Sequence, residues 1–246
     1  MTSNAPDTAV YAEQRARDWE AFRTSTAPLP DFMAWYEEYS HGWKIPIEFL
    51  QPVGLDAPDF LEPLQPLLDA LSGLEEVELM PVPFMHMTTV HVGFLMATDV
   101  MWSQVESIYV NAAPRLHRLD PFDLHVGGVS AGEHTLYLGV DDGLVSKEIR
   151  RHVRNAVPVV YEKARHASDW DDFVPRIDFA YFTGKGSRER VVEAVTPFLD
   201  ARGGTVRVDK AKMARVPIDP QTGFGDVDVI AEIGLLGEAA RSGYHN

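Results

Sequence analysis

Within the apolar stretch Met85-His-Met-Thr-Thr-Val-His-Val-Gly-Phe94, a histidine and a hydroxyl stand two residues apart. The β-branched and apolar content of this stretch predicts a strand, and on a strand residues i and i+2 share a face. His86 and Thr88 therefore point the same way, with Val90 beyond them. A histidine beside a hydroxyl offers an acid/base nitrogen and a hydrogen-bond donor to one oxyanion. The same pair also fits a packed histidine with a satisfied neighbour. His91 lies an odd number of residues from His86 and is expected on the opposite face, as packing. His125 alternates with Phe122 and Leu124; it reaches a ligand site if those two face the core, and is otherwise an exposed or satisfied histidine. Asp169, Asp171 and Asp172 have the oxygen ligands magnesium prefers, but a solvated acidic loop fits them better, and no metal is expected. Arg150, Arg151 and Arg154 fall at i, i+1 and i+4 and read as the solvated face of a helix.

The elements that would hold these residues alternate along the chain. Helices are predicted at 10–24, 59–72, from a cap at Asp99 through Ala112, at 144–161, and from Ser187 to Ala201, where Gly203-Gly204 ends the last. Strands are predicted around 45–50, 85–95, 122–126, 136–140, 174–183, 205–216 and 226–235. Ile45, Ile47 and Phe49 alternate with polar or proline positions, and Pro46 suggests that their strand is at an edge. Trp35, Tyr36, Trp43, Phe84, Met85 and Met87 read mostly as core, with some making a cleft apolar. Short turns between paired strands favour a mixed, largely antiparallel α+β arrangement. No glycine-rich phosphate loop, dinucleotide fingerprint or HExxH is present.

The 246 residues suffice for one large domain with a sizeable core. No cysteine occurs, which excludes disulfides, zinc–thiolate sites and thiol catalysis. With 22 basic and 37 acidic side chains, a net charge of −15 repels polynucleotide phosphates. Long nucleic acid is thus an unlikely partner and a small ligand the expected one. No apolar run has the length of a membrane helix, and the first residues lack the basic start and apolar core of a secretory signal. A cytoplasmic protein is expected, with no membrane partner; oligomeric state is not legible.

Met85–Phe94 resembles the first motif of the two-histidine phosphoesterase superfamily, in its 2′-5′ RNA ligase-like and cyclic phosphodiesterase branch. The strand around Trp43–Leu50, the helix before it, Pro121-Phe-Asp-Leu-His-Val-Gly-Gly128 and Leu136–Val140 are similar to the family in order and spacing. The resemblance spans roughly residues 40–235 and implies a duplicated, two-lobed α+β fold. Each lobe would be an antiparallel sheet with outer helices, the two facing across a central cleft. A helical extension is expected over 1–40, followed by one two-lobed domain over 41–246. Val174-Pro-Arg-Ile-Asp-Phe-Ala-Tyr-Phe182 lies where the family has its second His-x-Thr/Ser, with Arg176 in the histidine position and Asp178 in the hydroxyl position. Strand alternation puts both on one face, expected to lie across the cleft from His86 and Thr88.

The family mechanism uses one histidine as base and the other as acid across a phosphodiester. Arginine, with a pKa above ~12, cannot shuttle that proton. Three readings of the exchanged pair stay open. It is an ion pair holding the cleft; or Arg176 clamps an anion while His86 alone transfers a proton; or His86 and Asp178 form a new acid/base pair with Arg176 stabilising negative charge. The expected function is acid/base chemistry on a small phosphorylated, nucleotide-like or biosynthetic metabolite. His86 and Asp178 would be catalytic; Thr88, Arg176 and His125 would bind substrate, without metal or cofactor. The alternative is a binding or regulatory module that has lost turnover.

Overall fold

The computed structural model describes residues 8–40, 44–95, 100–142, 144–156 and 173–242. Its strands, in chain order, are β1 (Pro46–Gln51), β2 (Val77–Leu79), β3 (Met87–Phe94), β4 (Phe122–Ala131), β5 (Thr135–Asp141) and β6 (Arg176–Phe182). They continue as β7 (Arg202–Val208), β8 (Lys210–Arg215), β9 (Ile218–Asp219), β10 (Gly223–Phe224) and β11 (Asp228–Gly234). The helices are α1 (Thr8–Thr24), α2 (Phe32–Tyr39), α3 (Val53–Asp56), α4 (Gln65–Leu71), α5 (Trp102–Leu116), α6 (Val145–Ala156), α7 (Arg188–Val195) and α8 (Glu238–Ser242).

Two antiparallel sheets carry the fold, ordered β11-β8-β1-β3 and β2-β6-β5-β4-β7. They approach each other at β3 and β6, and a cleft opens between them. Helix α6 packs on β3 and against α5, while α1 lies across β4 and β5. The architecture is the expected α+β arrangement of two antiparallel lobes with a central cleft.

Strand β1 is interior rather than at an edge, pairing with β3 on one side and β8 on the other. Pro46 is tolerated because it is the first residue of the strand, where its carbonyl still accepts from Val216 N at 3.2 Å. Gly203 and Gly204 belong to β7, not to a helix end. A Cβ at Gly203 would stand 2.8 Å from the Phe60 carbonyl oxygen, so glycine lets β7 press against the turn Pro58–Leu64. Helix α7 stops early, at Val195, where Thr196-Pro-Phe198 tightens into a 3₁₀ turn. The predicted helix at 59–72 is likewise split, 3₁₀ from Pro58 to Leu64 and α-helical from Gln65. Asp99, Asp169, Asp171 and Asp172 lie outside the described residues.

The segment expected as an N-terminal extension enters the core. Tyr11, Trp19 and Phe22 of α1 are buried, and Phe22 stacks on Phe182 of β6 with ring centres 5.2 Å apart. Tyr137 donates to Asp18 at 2.6 Å, and Ser130 to the Arg15 carbonyl at 2.8 Å. Helix α2 begins where Asp31 accepts from Ala34 N at 3.0 Å.

Candidate active site

The cleft has a volume of about 690 Å³. Its first wall is built around His86, which sits one residue before β3 at the end of the turn Val82–Phe84. The His86 Nδ1–H donates to the Phe84 carbonyl at 2.5 Å, which leaves Nε2 as the nitrogen free to exchange a proton. Gly54 N holds this turn by donating to the Met85 carbonyl at 2.8 Å.

A carboxylate occupies the middle of this wall. Glu48 of β1 accepts from Thr88 Oγ1 at 2.5 Å and from His91 Nδ1 at 3.2 Å, and lies 3.7 Å from His86 Nε2. Burial acts to raise the Glu48 carboxyl. The hydrogen bond and charge of His91, the His86 ring and the Thr88 hydroxyl outweigh it and hold the group below its ordinary value.

His91 therefore faces the cleft, contrary to the alternation argument. The β1–β3 register moves from Glu48 opposite His91 and Phe49 opposite Val90 to Leu50 opposite Thr88, leaving Thr89 as an extra residue. That bulge turns the strand's phase, so Thr88 and His91, three apart, share one face. Glu48 itself had no visible signal: a charged residue alternating with Ile47 and Phe49 reads as a solvated position. Only the packing of β1 between two strands, with the cleft on one side, buries it.

Thr88 also departs from expectation. A hydroxyl has one proton, and Thr88 commits it to Glu48, so it is not a donor to ligand in this arrangement.

The opposite wall carries Arg176 and Asp178. Arg176 Nε lies 3.3 Å from Asp178 Oδ1, and Thr135 Oγ1 donates to the same oxygen at 3.0 Å. The Arg176 guanidinium lies over the Tyr137 ring, 5.1 Å from its centre. Both members of the pair are partly exposed and line the cleft. They form an ion pair and also face the ligand space.

Arg150 belongs to the cleft rather than to a solvated face. Helix α6 starts on Asp142, whose carboxylate accepts from Leu144 N and Ser146 N. This phase sends Arg150 inward to donate to the Thr89 carbonyl at 2.6 Å and to stack on Phe173, while Arg151 and Arg154 stay exposed. Burial, then the charge of Arg154, lowers its pKa to about 10. His125 is not among the cleft residues: it is exposed, 3.0 Å from Thr205 Oγ1 on the neighbouring strand. Phe122 and Leu124 do face the core, but the face His125 occupies is solvent, not cleft.

From α1 come Gln14 and Asp18, and from α2 Trp35, Tyr36 and Tyr39. Trp35 is sandwiched, with the Tyr39 ring centre 4.9 Å away and that of His134 at 4.3 Å. Among the described residues, no group of three or more histidine or acidic side chains is arranged to hold a metal ion, and no helix is long and apolar enough to cross a membrane.

The two antiparallel sheets facing across a cleft are a fold that this chain shares with solved LigT and phosphoesterase structures. The protein TT0787 of Thermus thermophilus superposes with a TM-score of 0.60 at 16% identity, covering 78% of this chain and 99% of that one. A protein described as a phosphoesterase gives 0.52 at 11%, covering 79% and 98%. E. coli LigT complexed with 3′-AMP gives 0.50 at 13%, covering 79% and 98%. No protein-family model matches the sequence, and no curated protein matches it.

Proposed function

We propose that the protein is an enzyme of the two-histidine phosphoesterase fold, acting by acid/base chemistry on a small phosphorylated or nucleotide-like ligand in the inter-sheet cleft. The observation that carries this reading is His86, anchored at Nδ1 and facing a buried carboxylate through Nε2. Nε2 takes or gives the proton, and Glu48 stabilises the imidazolium that results. Arg176 cannot shuttle a proton and serves as the anion clamp. Asp178, bonded to Arg176 and Thr135 through one oxygen, orients that clamp. The Glu48 charge repels phosphate from the floor at Thr88, which directs the ligand's anionic group toward Arg176.

Hydrolysis of 2′,3′-cyclic AMP and of bis(p-nitrophenyl) phosphate tests this reading. Turnover is expected to fall by about 10²–10⁴-fold in His86→Ala with the fold retained. A second reading, a binding module without turnover, is favoured by the engaged Thr88 hydroxyl and by the Arg176–Asp178 ion pair across the cleft from His86. An inert wild type that binds 3′-AMP equally with and without His86 would establish that module instead. If an inert wild type gains His86-dependent turnover on the double exchange Arg176→His/Asp178→Thr, the cleft is competent and the natural substrate is not a phosphodiester.

A further inference from the structure

Tyr36 presents a hydroxyl that is buried, belongs to a residue only 4% exposed, and meets no hydrogen-bond partner. Its side chain lines the cleft. An unpaired buried hydroxyl costs stability, and a phenylalanine would fill the same space without that cost. The ring has little freedom to seek a partner elsewhere. It stacks on Phe32 at 5.9 Å, meets Trp35 edge-on at 6.2 Å and lies 6.1 Å from Tyr39. Burial and then the Glu48 charge push its pKa up, so the hydroxyl keeps its proton at any physiological pH.

Among the described cleft residues, the two sheets leave no hydroxyl free to donate. Thr88 has committed its proton to Glu48, and the second sheet offers Asp178 where the resemblance implies a hydroxyl. We infer that Tyr36 donates a hydrogen bond to an anionic oxygen of the bound ligand, phosphoryl or carboxylate. The inference rests on the small-ligand reading of the cleft and adds a contact supplied by α2. As reaction moves charge onto that oxygen, the phenolic donor stabilises it without transferring its proton.

Tyr36→Phe tests this through three readouts on the full chain. The melting temperature is expected to stay the same or rise, since no partnered group is lost. The affinity for 3′-AMP, measured by calorimetry, is expected to fall about tenfold, the size of a hydrogen bond to a charged group. Where wild type turns over 2′,3′-cyclic AMP, kcat is expected to fall about 10²-fold with little change in KM. A lowered melting temperature with unchanged affinity would mean that the hydroxyl is a structural partner, and overturns the inference. Wild type that binds neither 3′-AMP nor inorganic phosphate at millimolar concentration overturns it as well. If wild type binds but does not turn over, and Tyr36→Phe binds more weakly, the enzymatic reading fails while the Tyr36 contact stands.

Discussion

Glu48 brings a negative charge into the wall of the cleft, and its three partners determine what that charge does. A carboxyl held below its ordinary value contributes stability that is present above that value and lost as pH falls through the lowered one. For Glu48 the loss begins below the ordinary 4.5. Thermal unfolding followed from about pH 7 to pH 3 should therefore fall more steeply in wild type than in Glu48→Gln, which has no such proton to bind. Equal slopes would mean that Glu48 is not held low by His91, His86 and Thr88. Asp178 lies differently, partly exposed and shared between Arg176 and Thr135. An exposed pair of this kind contributes about 0–1 kcal/mol, so Asp178→Asn should leave the melting temperature almost unchanged. In a 2′,3′-cyclic AMP assay it should weaken KM by more than it lowers kcat; a loss of kcat equal to that of His86→Ala would make Asp178 the second acid/base group instead. That His86 and Thr88 share a face, and that Arg176 and Asp178 do, was legible in the sequence, because two residues on one strand face need only local geometry. Glu48, His91, Arg150 and Tyr36 were not, because their meeting is a matter of register and packing.

At the scale of elements, the turn before β3 and the bulge within it aim the site. Gly54 allows that turn to approach: a Cβ there would stand 1.6 Å from the Val82 carbonyl oxygen, against backbone that has nowhere to go. Gly54→Ala should cost about 1–3 kcal/mol through overpacking and displace His86 along with the turn. Denaturant midpoints and His86-dependent turnover are expected to fall together, and a variant with wild-type values for both would show that the turn tolerates movement. The bulge at Thr89 had no sequence signature, since Thr-Thr-Val reads as continuous strand. Interior β1 misled for a related reason: proline marks an edge only when its missing N–H would have been needed in a ladder. Gly203-Gly204 read as a helix terminus, whereas their absent side chains serve a close approach by β7.

For the molecule as a whole, α1 and α2 join the two-sheet body rather than decorate it. Phe22 is buried against Phe182, so Phe22→Ala should cost about 3–5 kcal/mol. A chain lacking residues 1–24 should not fold cooperatively, since Trp19 and Phe22 leave the core and Tyr137 loses Asp18. A cooperative melt within a few degrees of wild type would instead make this segment a true extension. The sequence by itself determined the α+β class, the order of most elements, the resemblance to two-histidine phosphoesterases and the position of His86, since periodicity and a motif on one strand depend on neighbours along the chain. Its composition also set a charge of −15, which argues against polynucleotide ligands. Tertiary structure alone decided the rest. Sheet order placed Glu48 beside Thr88 and took that hydroxyl's proton. The bulge turned His91 inward, α6 brought in Arg150, and α2 placed the unpartnered Tyr36 hydroxyl at the cleft. Each contact joins residues far apart in sequence, or a strand whose phase its partner sets, and such pairings exist only once the sheets have closed on one another.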